Sequence, residues 1–296
     1  MGNILTKQFY RQRKDFEDSC AGRDAGLTFP EGVICSTDIA YADDGIKAHM
    51  LDIYRPEDSQ EKILPVIINV HGGGLIIGNK EFNRYFCALL CKKGFLVYSI
   101  EYRLIPDCLM YDQLSDVFMA MDYIKERLAA DGGDSSHVYM AGDSGGACLI
   151  TYANAIQNST NIARAANVTP SGLRINALGL ISGMFYTSRF DKIGLFLPKY
   201  LYGRDYKKTS FAKYVNPENR ELLNSLAPVW LVTSHNDFLR RYTTDFEKAL
   251  TRAEREHELV AFPKNKKLTH AFSVFEPFLP ESSEVIDMMV EYFRKF

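Results

Sequence analysis

The chain has 296 residues, 46% of them hydrophobic and 24% charged, which is enough apolar material for a large buried core. Its formal net charge of -2 gives no general electrostatic reason to bind nucleic acid or anionic membrane, and no apolar run is long enough to span a bilayer. Six cysteines form no Cys-x-x-Cys pair and six histidines are scattered, so buried free thiols in a reducing, cytoplasmic setting are expected, with no metal or cofactor site.

Residues 1–32 mix Phe9, Tyr10, Phe16 and Phe29 with charges and are expected to form a short amphipathic helix lying over something apolar. The run from Arg11 to Asp18 denies this end the apolar core of a signal peptide. Met1-Gly2-Asn3-Ile4-Leu5-Thr6 matches the N-myristoylation pattern, the alternative being an ordinary flexible terminus. Two strand-like runs, 33–41 and 46–54, flank the turn-forming Asp43-Asp44-Gly45 and predict a hairpin.

Residues 63–70 are a continuous apolar run, as expected of a strand buried on both faces of a parallel sheet, and they empty into His71-Gly72-Gly73-Gly74. A helix over 81–93, stopped by Gly94, and a buried strand over 95–101 follow. From 111 to 130, Leu114, Val117, Phe118, Met121, Ile124 and Leu128 recur at helical spacing. Val138–Ala141 then reads as a strand breaking into Gly142-Asp143-Ser144-Gly145-Gly146 and a further helix. The alternation predicts an α/β fold with parallel strands and helices on both sheet faces.

After a strand at 175–182 the rhythm breaks. Residues 183–226 are rich in Phe and Tyr and too long for a simple connection, as in lids and binding elements. It resumes with a strand at 228–234, a helix at 238–256, a strand at 258–262, a loop holding His270 and a helix at 282–296. Lys264-Asn265-Lys266-Lys267, the densest basic run, is expected to be a solvated loop.

The chemistry centres on Ser144. A serine hydroxyl needs a base and a group that orients the base, and Asp237 and His270 both follow late strands whose ends meet the sheet edge where Ser144 emerges. The order Ser144, Asp237, His270 is that of a serine nucleophile on a strand-to-helix elbow. Asp237 has the plainer alternative of capping the helix after it, and His235 is a rival base lying too close to Asp237 to be its partner. His71 is expected to position its glycine loop. Gly73 with Gly74, or Gly72 with Gly73, are expected to donate N–H groups to an oxyanion, joined by the N–H of Gly145.

Together His71-Gly72-Gly73-Gly74, Glu101-Tyr102-Arg103, Gly142-Asp143-Ser144-Gly145-Gly146, Asp237-Phe238-Leu239-Arg240 and Thr269-His270-Ala271-Phe272 resemble the hormone-sensitive-lipase-like branch of α/β-hydrolases. The resemblance covers nearly everything from residue 46 onward. It implies an α/β-hydrolase fold with a helical cap, a Ser144/Asp237/His270 triad and carboxylesterase activity on short acyl chains through an acyl-enzyme. It departs from the family in Glu101 for Asp, Gly145 for Ala and Ala271 for Gly. The implied division is a cap from 1–32 and 183–226 on a core of 33–182 and 227–296, with the cap choosing the substrate and its tyrosines tolerating a polar alcohol half. The expected partner is a small ester, with no nucleic acid and no stable membrane insertion, and the oligomeric state is open. Two alternatives stand beside this reading: an amidase of the kynurenine-formamidase type, and a small-molecule receptor on an inactive scaffold, as in the gibberellin receptors that lack the histidine.

Overall fold

The computed structural model describes residues 2–59 and 62–296, with side chains from Thr6 onward, so Met1 and the side chains of the myristoylation pattern before Thr6 lie outside what is described. In chain order the elements are α1 (Gly2–Asp24), β1 (Val33–Ala40), β2 (Met50–Pro56), β3 (Leu64–Val70), α2 (Arg84–Lys92), β4 (Leu96–Ile100), α3 (Met110–Arg127), β5 (Gly133–Asp143), α4 (Ser144–Asn158), α5 (Thr160–Ala166) and β6 (Ala177–Ile181). They continue through α6 (Lys192–Phe196), α7 (Pro198–Leu201), α8 (Arg220–Asn224), β7 (Val229–Ser234), α9 (Arg240–Arg252), β8 (His257–Phe262), α10 (Phe272–Phe275) and α11 (Pro280–Phe293).

The eight strands form one sheet in the order β1-β2-β4-β3-β5-β6-β7-β8. β1 with β2 and β2 with β4 are antiparallel, and every later pairing is parallel. The apolar run in β3 sits between β4 and β5, where both of its faces are covered. One cluster of apolar side chains packs under α3, α4 and α9, and a second under α2, α10 and α11 on the opposite face. The stripe predicted along α3 is buried from Leu114 through Leu128. The expected α/β architecture is present, and the loops after β3, β5, β7 and β8 gather at the carboxyl edge of the sheet, where open parallel sheets place their sites.

Three expectations change. The N-terminal helix is long, because Phe9, Arg13, Phe16, Cys20 and Arg23 recur every three or four residues on its inward side, giving it one continuous face to bury. The second strand of the hairpin begins at Met50, not at residue 46: Ile46 through His49 form a turn, closed by the His49 N–H donating to the Ile46 carbonyl. His49 is buried there between Asp44 and Asp116, at 2.6 and 3.1 Å. The helix predicted from 81 starts at Arg84, preceded by a 3-10 turn over Lys80–Asn83 whose Phe82 N–H is held by the Asn79 side chain. Gly94 ends it at φ 91°, the left-handed conformation expected of a helix-stopping glycine.

Half of residues 183–226 lie in short helices and 3-10 turns. Their aromatic residues pack with one another and with the rest of the chain: Phe185 stacks on Phe246, Tyr202 and Phe211 meet Tyr111, and Tyr200 lies edge-on to Phe9 of α1. The 264–267 loop is on the surface, as its charge predicts.

Candidate active site

β5 runs straight into α4, and the corner residue is Ser144, at φ 50°. A non-glycine residue in this left-handed region costs about 1–2 kcal/mol. The corner holds because its neighbours can be packed very tightly. A Cβ on Gly146 would lie 2.1 Å from the Val70 carbonyl oxygen and 2.5 Å from that of His71, so only glycine lets β3 pass beside the elbow. Ser144 is nearly buried, at 7% exposure.

The structure brings Ser144, Asp237 and His270 together. The Ser144 hydroxyl lies 2.9 Å from Nε2 of His270, and Nδ1 of His270 lies 2.7 Å from Oδ1 of Asp237. Since a carboxylate only accepts, Nδ1 carries the proton and Nε2 presents its lone pair to the serine. Asp237 is itself fixed by two donors, the Thr233 hydroxyl at 2.9 Å and the Leu239 N–H at 2.8 Å. It therefore caps the turn leading to α9 and holds His270 at the same time. Burial opposes its charge, but the hydrogen bond and field of His270, with the Leu239 N–H, bring its carboxyl below the usual range. His235 points elsewhere: it is exposed, and its Nδ1 accepts from Arg240.

The glycine loop after β3 resolves one choice. Gly72 donates its N–H to Oδ1 of Asp143 at 2.9 Å, so it is not available to an oxyanion and the pairing of Gly72 with Gly73 gives way. Among the described residues no acceptor takes the N–H of Gly73 or Gly74. Gly73 adopts φ 100°, and a Cβ there would lie 1.9 Å from the Ile77 carbonyl oxygen. Its own carbonyl accepts from Ile76 and Ile77, which curls the loop back on itself. Gly145 sits in the first turn of α4, where backbone N–H groups have no partner within the helix.

Beneath this loop lies a polar network that residue types alone did not reveal. Asp143 accepts from Gly72 and from the Asn83 amide at 3.0 Å, joining the elbow, the loop and the start of α2. His71 is fully buried, its Nε2 2.8 Å from Glu101 and its Nδ1 2.9 Å from the Gly72 carbonyl, with the Tyr102 ring stacked on it at 4.3 Å. Burial works against a charge on His71, yet the Glu101 carboxylate outweighs it and raises the imidazole above its ordinary value. Both ring nitrogens face acceptor oxygens, the arrangement an imidazolium satisfies. The role expected for His71, positioning the loop, matches this placement.

Known proteins agree with this architecture. Over 184 residues the chain is 29% identical to a probable isoprenylcysteine alpha-carbonyl methylesterase of Oryza sativa, a match covering 58% of this chain and 44% of that protein. The chain thus spans less than half the length of that relative. Esterase B of Lactobacillus rhamnosis, in a structure inhibited with a tributyrin phosphonate, superposes with a TM-score of 0.92 over 99% of this chain and 95% of that one, at 23% identity. A bacterial heroin esterase superposes with a TM-score of 0.72 over 98% and 92%, at 22% identity. The hormone-sensitive-lipase-like resemblance is borne out: residues 67–273, which carry the glycine loop, the elbow, Asp237 and His270, match the model of the alpha/beta hydrolase fold family, and the chain belongs to that family.

Proposed function

We propose that the protein is a carboxylic ester hydrolase working through an acyl-enzyme. The observation that carries this reading is the unbroken hydrogen-bonded line from Ser144 through His270 to Asp237. Ser144 Oγ attacks the ester carbonyl carbon while its proton passes to Nε2 of His270, and Asp237 stabilises the imidazolium. The carbonyl oxygen, now negative, is held by the N–H groups of Gly73, Gly74 and Gly145. As the tetrahedral species collapses, the C–O bond to the alcohol breaks and His270 returns the proton to the departing oxygen. Water repeats the sequence and frees the acid.

Residues 1–32 and 183–226 act as the cap in this reading. The Phe9–Tyr200 contact joins them, and the Met184 N–H donates to the Ser144 carbonyl, so the insertion starts at the nucleophile itself. Short acyl esters are the proposed substrates, a choice the tributyrin phosphonate on esterase B favours. The esterase relatives favour ester over amide, and the intact line of three side chains favours an enzyme over a receptor. The six free thiols favour a reducing compartment.

A fluorophosphonate probe tests the nucleophile. The wild type should label at Ser144 and hydrolyse p-nitrophenyl acetate faster than longer esters and faster than N-formylkynurenine, while Ser144→Ala should neither label nor turn over. Labelling that persists in Ser144→Ala, or faster turnover of the formamide, would overturn the proposal.

A further inference from the structure

Surface helices normally turn their polar side to water. Residues 190–199 set large apolar side chains among the cations of that outer side. Phe190 is 91% exposed, and the outward positions of α6 and α7, spaced as one helical face, hold Lys192, Leu195, Phe196 and Lys199, with Leu195 and Phe196 more than half exposed. Leu197, Pro198 and Leu201 already bury the inward side, so the outer apolar side chains contribute nothing to the core.

A recess of about 450 Å³ adjoins this patch, with Leu195 and Lys199 in its wall beside Arg204, Asp205, Lys207 and Lys208. From 188 to 208 there are six basic residues and two acidic ones, a local reversal in a chain of net charge -2. Both acids are engaged: Asp191 caps α6 and accepts from Tyr242, and Asp205 pairs with Lys208. Among the described residues Lys192, Lys199, Arg204 and Lys207 have no carboxylate partner.

Apolar side chains ringed by cations without a carboxylate partner, beside a cationic recess, match the two layers of an anionic phospholipid surface. We propose that the face from Phe190 to Lys208 docks the protein on membranes bearing anionic phospholipid, with Phe190, Leu195 and Phe196 entering the acyl boundary and the recess holding a headgroup phosphate. A second copy of the chain fits less well, since a twofold contact would set the same cations against each other. The attachment is interfacial, as no described helix is long and apolar enough to cross a membrane. Along the chain, Tyr242, which bonds Asp191 beside Phe190, comes four residues after Phe238, whose exposed ring packs on His270 at 4.3 Å.

Flotation of the full chain with phosphatidylcholine vesicles, with and without phosphatidylglycerol, tests the assignment. The protein should float only with the anionic vesicles and be released by salt. Arg204→Gln and Lys207→Gln should each weaken binding about fivefold. The double variant Phe190→Ser/Phe196→Ser should weaken it at least about tenfold without changing the melting temperature. Wild type that stays unbound, binds equally without phosphatidylglycerol, or binds no better than these variants would overturn the proposal. So would a wild-type dimer that the double serine variant turns into a monomer, which would give the patch to a second copy. Lipid binding and not hydrolysis is read, so the result stands apart from the esterase reading.

Discussion

Gly145 shows how tightly the proposed nucleophile is set. The family resemblance implies alanine here, yet a Cβ at this position would lie 2.8 Å from the Leu75 nitrogen and 2.9 Å from the Gly74 nitrogen. These are backbone atoms of the loop proposed to hold the oxyanion, so Gly145→Ala must push that loop away. Displacing one donor costs about 10²–10³ in kcat. The variant should therefore keep its melting temperature within a few degrees, label slowly with fluorophosphonate and lose roughly that factor in p-nitrophenyl acetate turnover. Asp237→Asn, which leaves the geometry but reverses the tautomer His270 needs, should cost about 10⁴ in kcat. The buried His71–Glu101 pair carries a pH signature. Folding raises the imidazole above its ordinary value of 6.5, so the pair's stabilisation is complete below that value and is lost as pH rises through the folded one. Melting temperatures followed from about pH 6 to about pH 9 should decline more in wild type than in Glu101→Gln, where His71 loses the carboxylate it is bonded to.

At the level of elements, α1 is held by a side chain outside every recognised motif. Nε of Arg13 donates to the Ile76 carbonyl at 2.8 Å, and a terminal nitrogen reaches the Leu104 and Ile105 carbonyls at 3.0 and 2.7 Å. The other terminal nitrogen pairs with Asp107 at 2.8 Å, and Asp107 also takes the Tyr10 hydroxyl. One guanidinium thus joins α1 to the end of the glycine loop and to the segment before α3. Arg13→Ala should cost about 2 kcal/mol, and Arg13→Lys should recover only part of it because an ammonium lacks the planar fork. Chemical denaturation of the three proteins measures the difference. The basic and aromatic letters of α1 were legible in the sequence, but which carbonyls they would meet, 63 to 92 residues away, was not.

For the molecule as a whole, the sheet and its two apolar layers supply the stability, with no covalent bridge. All six cysteines are free, and Cys20, Cys87, Cys91 and Cys148 are buried. Burial pushes the Cys20 and Cys35 thiols up to about 11 and those of Cys91, Cys108 and Cys148 to about 12. Nucleophilic thiolate is therefore scarce at neutral pH. Alkylation by iodoacetamide should be slow in the folded protein and fast once it is unfolded, and reductant should leave the melting temperature unchanged.

The order of the eight strands, the α/β class and the proposed places of Ser144, Asp237, His270 and the glycine loop are legible in the chain itself, because each rests on local backbone chemistry, whereas the short helices α5, α6, α7, α8 and α10 are not. Apolar runs specify buried strands, glycines permit the tight corners, and the order of the three polar residues along the chain is a sequence property. Tertiary structure decided the rest. Gly72 left the set of oxyanion donors because Asp143, 71 residues away, accepts its N–H. Asn83 joined the network by the same carboxylate, and α1 ran its full length because a long inward face found a surface to cover. In each case the deciding quantity is the direction of a side chain across a fold, which packing sets and residue type leaves open.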